Sequence, residues 1–257
     1  MKRCFLYIAI SVYLLCLGCS TTGRNTITQT STIDALLAGL YDGNMTCRKL
    51  LKYGDLGIGT FDRLEGEMIV INGTVYQVKA DGKVYTPAMD ISTPFASVCK
   101  FSADKTIALK KGMDFKALEE LINKSAPNQN IFCAIRIVGN FAQMKTRSVP
   151  AQKMPYPPLT EATKNQPEFH MENVSGTIVG FRCPPYVKGI NVPGYHLHFI
   201  TSDYTRGGHI LSFEMTDGKC DIDLCNQLFL ILPMDKEVFG GIDLSKDRSK
   251  ELEQVEK

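Results

Sequence analysis

The sequence predicts an α+β protein of two lobes, with mixed and antiparallel β-sheets and flanking helices, and three observations carry that expectation. Helical periodicity near the front gives way after Tyr53 to period-two alternation broken by hairpin turns. A tract with five prolines between Pro150 and Pro167 then interrupts the chain. Beyond it, four short apolar runs are separated by glycine and proline, the pattern of a small antiparallel sheet or barrel.

Taken in order, Thr32 to Leu40 reads as a helix with Ile33, Leu36, Leu37 and Leu40 on one face, and Thr46 to Tyr53 starts another. In LEGEMIVINGTVYQVKADGKVYTP two strands flank Asn72-Gly73, a strong hairpin signal, and a third follows Asp81-Gly82. Asp114 caps a helix through Lys124 with Phe115, Leu118, Leu121 and Ile122 inward, and Ile131 to Phe141 is a buried strand. These elements form an N-terminal α/β lobe over 20–149. Residues 150–169 form a proline-rich surface crossing, and 170–257 a C-terminal β lobe. The strands of that lobe are GTIVGFR, YHLHFI, HILSFEM and LFLILP. The last segment, DLSKDRSKELEQVEK, is a polar helix expected on the outside, tethered by Leu252 and Val255.

The N-terminus has Lys2 and Arg3 before an apolar run from Phe5 to Leu17, then Gly18 and Cys19. That is an export signal over 1–19, too short to span a membrane comfortably. Its end resembles the lipobox of bacterial lipoproteins, with Cys16 where an aliphatic residue is usual. The resemblance implies a lipid anchor at Cys19, with ordinary leader cleavage and a retained anchor as the alternatives. The expected location is the cell envelope, periplasm or outer membrane. Charge selects no polyanionic partner: 29 basic against 27 acidic residues are interleaved, with no basic stripe and no Trp, so nucleic acid is not expected. Beyond the leader Cys47, Cys99, Cys133, Cys183, Cys220 and Cys225 form no C-x-x-C pair, and Cys133 in IFCAIRIV reads as a core thiol.

Three of the chain's four histidines fall in GYHLHFITSDYTRGGHI. On a strand His196 and His198 share a face, about 7 Å apart along the backbone. A turn built from Thr205, Arg206, Gly207 and Gly208 brings His209 back beside them. Three imidazoles without a thiolate are the ligand set of an open catalytic zinc site. The cupin and metallo-β-lactamase patterns are not met, because Phe199, Ile200, Thr201 and Ser202 stand where those motifs need acidic or further histidine ligands. The fourth, His170, reads as a loop residue.

The stretches GTIVGFRCPPYVKGINVPGYHLHFITSDYTRGGHILSFE, GDLGIGTFDRLEGEMIVINGTVYQVKADGKVY and KTRSVPAQKMPYPPLTEATKNQP resemble bacterial α-acetolactate decarboxylases, from about Ile33 to Glu256. The resemblance implies a two-lobed homodimer that binds one zinc ion and converts 2-acetolactate to (R)-acetoin and carbon dioxide. It places His196, His198 and His209 on the metal, Glu67 and Arg147 in the active site and Thr60 in the pocket wall. It also places Glu256 in the site, with Glu253 as its fallback and Glu65 a weaker competitor for Glu67. Cys183 departs from the Thr or Ser more usual in the family. Without the resemblance, Glu67 is an ordinary outward strand residue, Arg147 a solvated loop charge and Glu256 part of a frayed terminus. Two other functions fit the histidines alone: another three-histidine zinc lyase or hydrolase, and a non-catalytic zinc-binding envelope lipoprotein.

The implied chemistry matches the residue types. Loss of carbon dioxide from a hydroxy keto acid leaves an enediolate, whose charge a zinc ion stabilises as a Lewis acid. An arginine can hold the carboxylate, and a shielded glutamic acid can return a proton. Whether Glu67 or Glu256 is that donor is open at this level.

Overall fold

The computed structural model describes residues 23–235 and 237–256, and in it local signals start most elements. The expected leader over 1–19 and its Cys19 lie outside the described residues. After β1 (Thr26–Thr30), Thr32 caps α1 (Ile33–Leu37) by accepting a hydrogen bond from the Ala35 amide at 3.2 Å. β2 (Met45–Thr46) leads into α2 (Cys47–Leu50), β3 (Leu56–Thr60), β4 (Glu67–Ile71) and β5 (Thr74–Val78). Asn72 and Gly73, both at positive φ, turn β4 into β5 as expected. β6 (Val84–Tyr85), β7 (Ser92–Thr93), β8 (Ala96–Cys99) and β9 (Lys105–Leu109) follow. Asp114 then caps α3 (Phe115–Ser125), its carboxylate accepting from the Ala117 amide at 2.8 Å. The rest of the chain forms β10 (Phe132–Arg147), α4 (Leu159–Ala162), β11 (Glu168–Cys183), β12 (Gly194–Thr201), β13 (Gly207–Cys225), β14 (Gln227–Ile231) and α5 (Ser249–Glu256).

Two sheets result. One has seven strands in the order β14-β1-β8-β3-β4-β5-β6, antiparallel except where β14 runs parallel to β1. In the other, β10, β11, β12 and β13 pair in sequence, β10 also pairs β13, and β9 adds to β13. The four strands therefore close into a ring, the barrel alternative of the sequence reading.

The sheet division does not coincide with the chain division expected at 150–169. β10 precedes the proline tract yet belongs to the ring, β9 before it adds to the same sheet, and β14, the expected strand LFLILP, lies instead at the edge of the first sheet. The tract itself is not merely a surface crossing: it contains α4, whose Leu159 is buried against α1 and α5. β10 also runs to Arg147 rather than ending at Phe141. Its polar end, AQMKTR, is sustained by ladder bonds to strands on both sides, which no local pattern announces. Arg147 is thus the last residue of a central strand, not a loop charge.

Alternation decides what faces what. On β12, Leu197 and Phe199 enter the core under α3, together with Cys133, Ile135 and Ile137 of β10. Ile200, two residues on from His198, packs in a second core with Phe132, Ala134, Ile58 and Ile69, between ring and sheet. His196 and His198, in phase with Ile200, therefore look toward the seven-stranded sheet. All six cysteines beyond the leader are buried and unbridged.

Candidate metal centre and its chamber

The histidines converge. His198 and His209 lie directly opposite on β12 and β13, and ligand atoms of His196, His198 and His209 all fall within 4.8 Å of one another. His198 is fully buried and His209 nearly so, whereas His196 is half-buried. The Nε2 atoms of His196 and His198 are 3.2 Å apart. Two nitrogens each about 2.05 Å from a tetrahedral ion sit about 3.3 Å apart, so the pair fits one small cation. His198 Nδ1 lies 2.9 Å from the Met68 carbonyl oxygen. A carbonyl oxygen only accepts, so Nδ1 donates its proton there and Nε2 turns its lone pair inward. Burial holds the pKa of His196 down at about 3 and those of His198 and His209 well below the usual value, so the imidazoles are neutral, as ligation requires.

The sheet opposite supplies the acid. Glu67 opens β4 beside Thr60 of β3, and its Oε2 stands 3.4 Å from His198 Nε2. Gly66, at φ +81°, makes the preceding turn: a side chain there would meet the Val78 carbonyl at 2.2 Å. Thr60 Oγ1 donates to the Gly66 carbonyl at 2.8 Å, bracing that turn from the pocket side. Glu65, the other glutamate of this turn, points away and pairs with Lys79 at 3.1 Å.

The far end of the chain supplies the second acid. α5 lays Leu252 and Val255 into an apolar cluster with Ile33, Leu36 and Leu159, and its last residue, Glu256, brings Oε2 to 3.9 Å from His209 Nε2. Glu253 is on the exposed face of the helix. The helix is on the outside, as expected, yet it closes a chamber rather than fraying. Burial raises the pKa of both Glu67 and Glu256 to about 7; nearby Arg147 opposes the rise, and at Glu67 the charge of Glu256 adds to it.

Arg147 sits across from His209 in the β10–β13 register, only 4% exposed. Gly208 makes that possible: at φ +137°, any Cβ would lie 2.4 Å from the Arg147 carbonyl oxygen. Its Nη1 donates to Gln166 Oε1 at 2.6 Å and its Nη2 to the Val255 carbonyl, while Nε is buried without a partner. Arg147 and Val255, together with Ile33, Leu36, Phe95 and Leu159, line a small cavity of about 50 Å³. Thr60, Glu67, Arg147, His196, His209 and Glu256 all line it; His170 is exposed elsewhere on β11. Gln166, the Met68 carbonyl and the Val255 carbonyl carry no sequence signal, because each acts only through a tertiary contact.

Such a chamber defines the class, an α+β enzyme whose three histidines are compatible with a metal ion and whose buried arginine suits an anion. A family model described as alpha-acetolactate decarboxylase matches residues 27–246. The chain is 46% identical over 238 residues, 93% of its length and 82% of the relative's, to the alpha-acetolactate decarboxylase of Methanosarcina mazei. That of Methylococcus capsulatus is 40% identical over 89% of this chain and 87% of its own. The crystal structure of alpha-acetolactate decarboxylase from Bacillus subtilis superposes with a TM-score of 0.87 at 40% identity, covering 90% of this chain and 99% of that one. The chain belongs to the α-acetolactate decarboxylase family, and the reaction is the decarboxylation of 2-acetolactate to acetoin.

Proposed function

We propose that the three imidazoles hold one zinc ion and that the chamber releases (R)-acetoin by delivering a proton to one face of the decarboxylated substrate. The observation that carries this is the arrangement of neutral nitrogen donors with two carboxyls at 3.4 and 3.9 Å from them. Three imidazole nitrogens without thiolate suit zinc in an open site. When bound, zinc supplies Lewis acidity to the oxygens that take up charge as carbon dioxide leaves.

The chain's own residues do the rest. Arg147 binds the substrate carboxylate through its unpartnered Nε, a buried donor that is costly to leave unsatisfied unless a ligand accepts from it. The apolar wall from α1, α4 and α5 excludes water, so the proton that replaces carbon dioxide comes from a side chain. Glu67 and Glu256, with pKa values near 7, carry a proton through much of the neutral range and can both give and recover it. Thr60 holds the turn that aims Glu67.

The working form is a homodimer in the cell envelope, exported by the leader and anchored through a lipid on Cys19. A lipid precursor labelling the parent and not Cys19→Ser supports the anchor, and unaltered labelling overturns it. For the chemistry, zinc-loaded protein is given racemic acetolactate and acetoin enantiomers and gas are followed. Absence of acetoin with zinc bound overturns the reading. His198→Ala should lose metal and turnover together, and Arg147→Ala should retain the metal and lose most turnover.

A further inference from the structure

The guanidinium of Arg147 is oriented by two acceptors, and neither carries charge: the Gln166 side-chain oxygen at 2.6 Å and the Val255 backbone carbonyl. Among the described residues no carboxylate lies within 4.0 Å of its nitrogens. One carboxylate comes close in register, since Glu168 opposes Arg147 across β10 and β11, but its side chain is committed to Lys145 at 2.6 Å. Gln166 itself is held in place. Its backbone N–H donates to the Thr163 carbonyl at the end of α4, and the Pro167 carbonyl accepts from the backbone N–H of Ser148 beside Arg147, each at 3.3 Å.

We propose that Gln166 is a positioning residue for the decarboxylation: it fixes the Arg147 fork with a neutral oxygen, so that the positive charge stays available to the substrate carboxylate. A carboxylate at the same place would orient the guanidinium equally well and bond it more strongly, but would cancel much of the charge the substrate needs. An amide does the first without the second. The inference rests on Arg147 binding the substrate carboxylate, as proposed above.

Gln166→Glu separates this role from a structural one, because the side chains are isosteric. A merely structural acceptor would be replaced without loss by glutamate, with thermal stability equal or higher. The proposal instead predicts a rise in KM for acetolactate of about tenfold or more at pH 7.5, with kcat changed less, and zinc content and melting temperature retained. KM within about twofold of the parent overturns it. Should the glutamate variant fold poorly, Gln166→Leu decides: the fork loses one restraint, KM should rise at unchanged zinc content, and an unchanged KM overturns the proposal. Arg147→Ala run alongside keeps the two readings apart. Full turnover in that variant would remove the arginine clamp itself, whereas loss there with a silent Gln166→Glu would remove only the positioning role.

Discussion

Glu67 is a carboxyl group placed where a charge is expensive, and replacing it with its neutral isostere should therefore stabilise the protein in a way that depends on pH. Its pKa rises from 4.5 to about 7 on folding, mainly through burial. The unfolded chain gives up this proton first as pH climbs, so the parent's stability is full below the unfolded value of 4.5 and declines as pH rises through about 7. At about 1.4 kcal/mol per tenfold, the deficit is about 3 kcal/mol at pH 8 and below about 1 kcal/mol at pH 5. Glu67→Gln removes the deficit without changing the volume. In chelator-treated protein the variant should melt about 6–12 °C above the parent at pH 8, taking 2–4 °C per kcal/mol for a chain of this size, and within about 4 °C of it at pH 5. The assay is a thermal melt of both proteins at the two pH values, with metal removed so that no cation offsets the carboxylate. Equal melting temperatures at pH 8, or one shift common to both pH values, would refute the claim that burial of this carboxyl opposes folding. The same variant should be nearly inactive when zinc is restored.

Three other expectations follow from the same geometry. Deleting Glu253 to Lys257 removes Glu256 and the buried Val255, and should abolish turnover at a stability cost of about 1.5–3 kcal/mol while leaving metal content intact, since all three histidines lie on β12 and β13; metal analysis, a melt and the acetoin assay report these, and unchanged activity would sink the idea. Glu256→Gln keeps the helix and isolates its carboxyl, so turnover should fall about a hundredfold or more with the melting temperature preserved. Gly208→Ala forces a Cβ to within 2.4 Å of the Arg147 carbonyl at a φ of +137°, and should cost about 3 kcal/mol or more while weakening metal retention through His209; a normal melt and full metal content would show that β10 can yield.

How much of this was legible depended on whether a residue's role is local. The Asn72-Gly73 hairpin, the Asp114 cap and the inward face of α3 follow from backbone chemistry within a few residues, and all appear where expected. The histidine triad is nearly as local. Strand alternation puts His196 and His198 on one face, and a glycine turn returns His209 to a place opposite His198. By contrast β1 and β9, the continuation of β10 to Arg147 and the departure of β14 to the other sheet had no comparable signal. Their hydrogen bonds run to partners tens to hundreds of residues away, as in the pairing of Thr26 with Gln227. Burial was equally hidden for Glu67, Arg147 and Glu256, each ordinary by its neighbours in sequence.

The sequence by itself determined the donor set, because residue type and period-two geometry are properties of a short segment. It also determined the family, because similarity extends over nearly the whole chain. Only the tertiary structure decided that the histidine face looks across to β4, that a carbonyl of Met68 fixes the tautomer of His198, and that the C-terminal helix seals the chamber with a second acid. The physical reason is desolvation. What raises the pKa of two glutamates and keeps three imidazoles neutral is burial away from water, and that burial exists only once distant segments have packed.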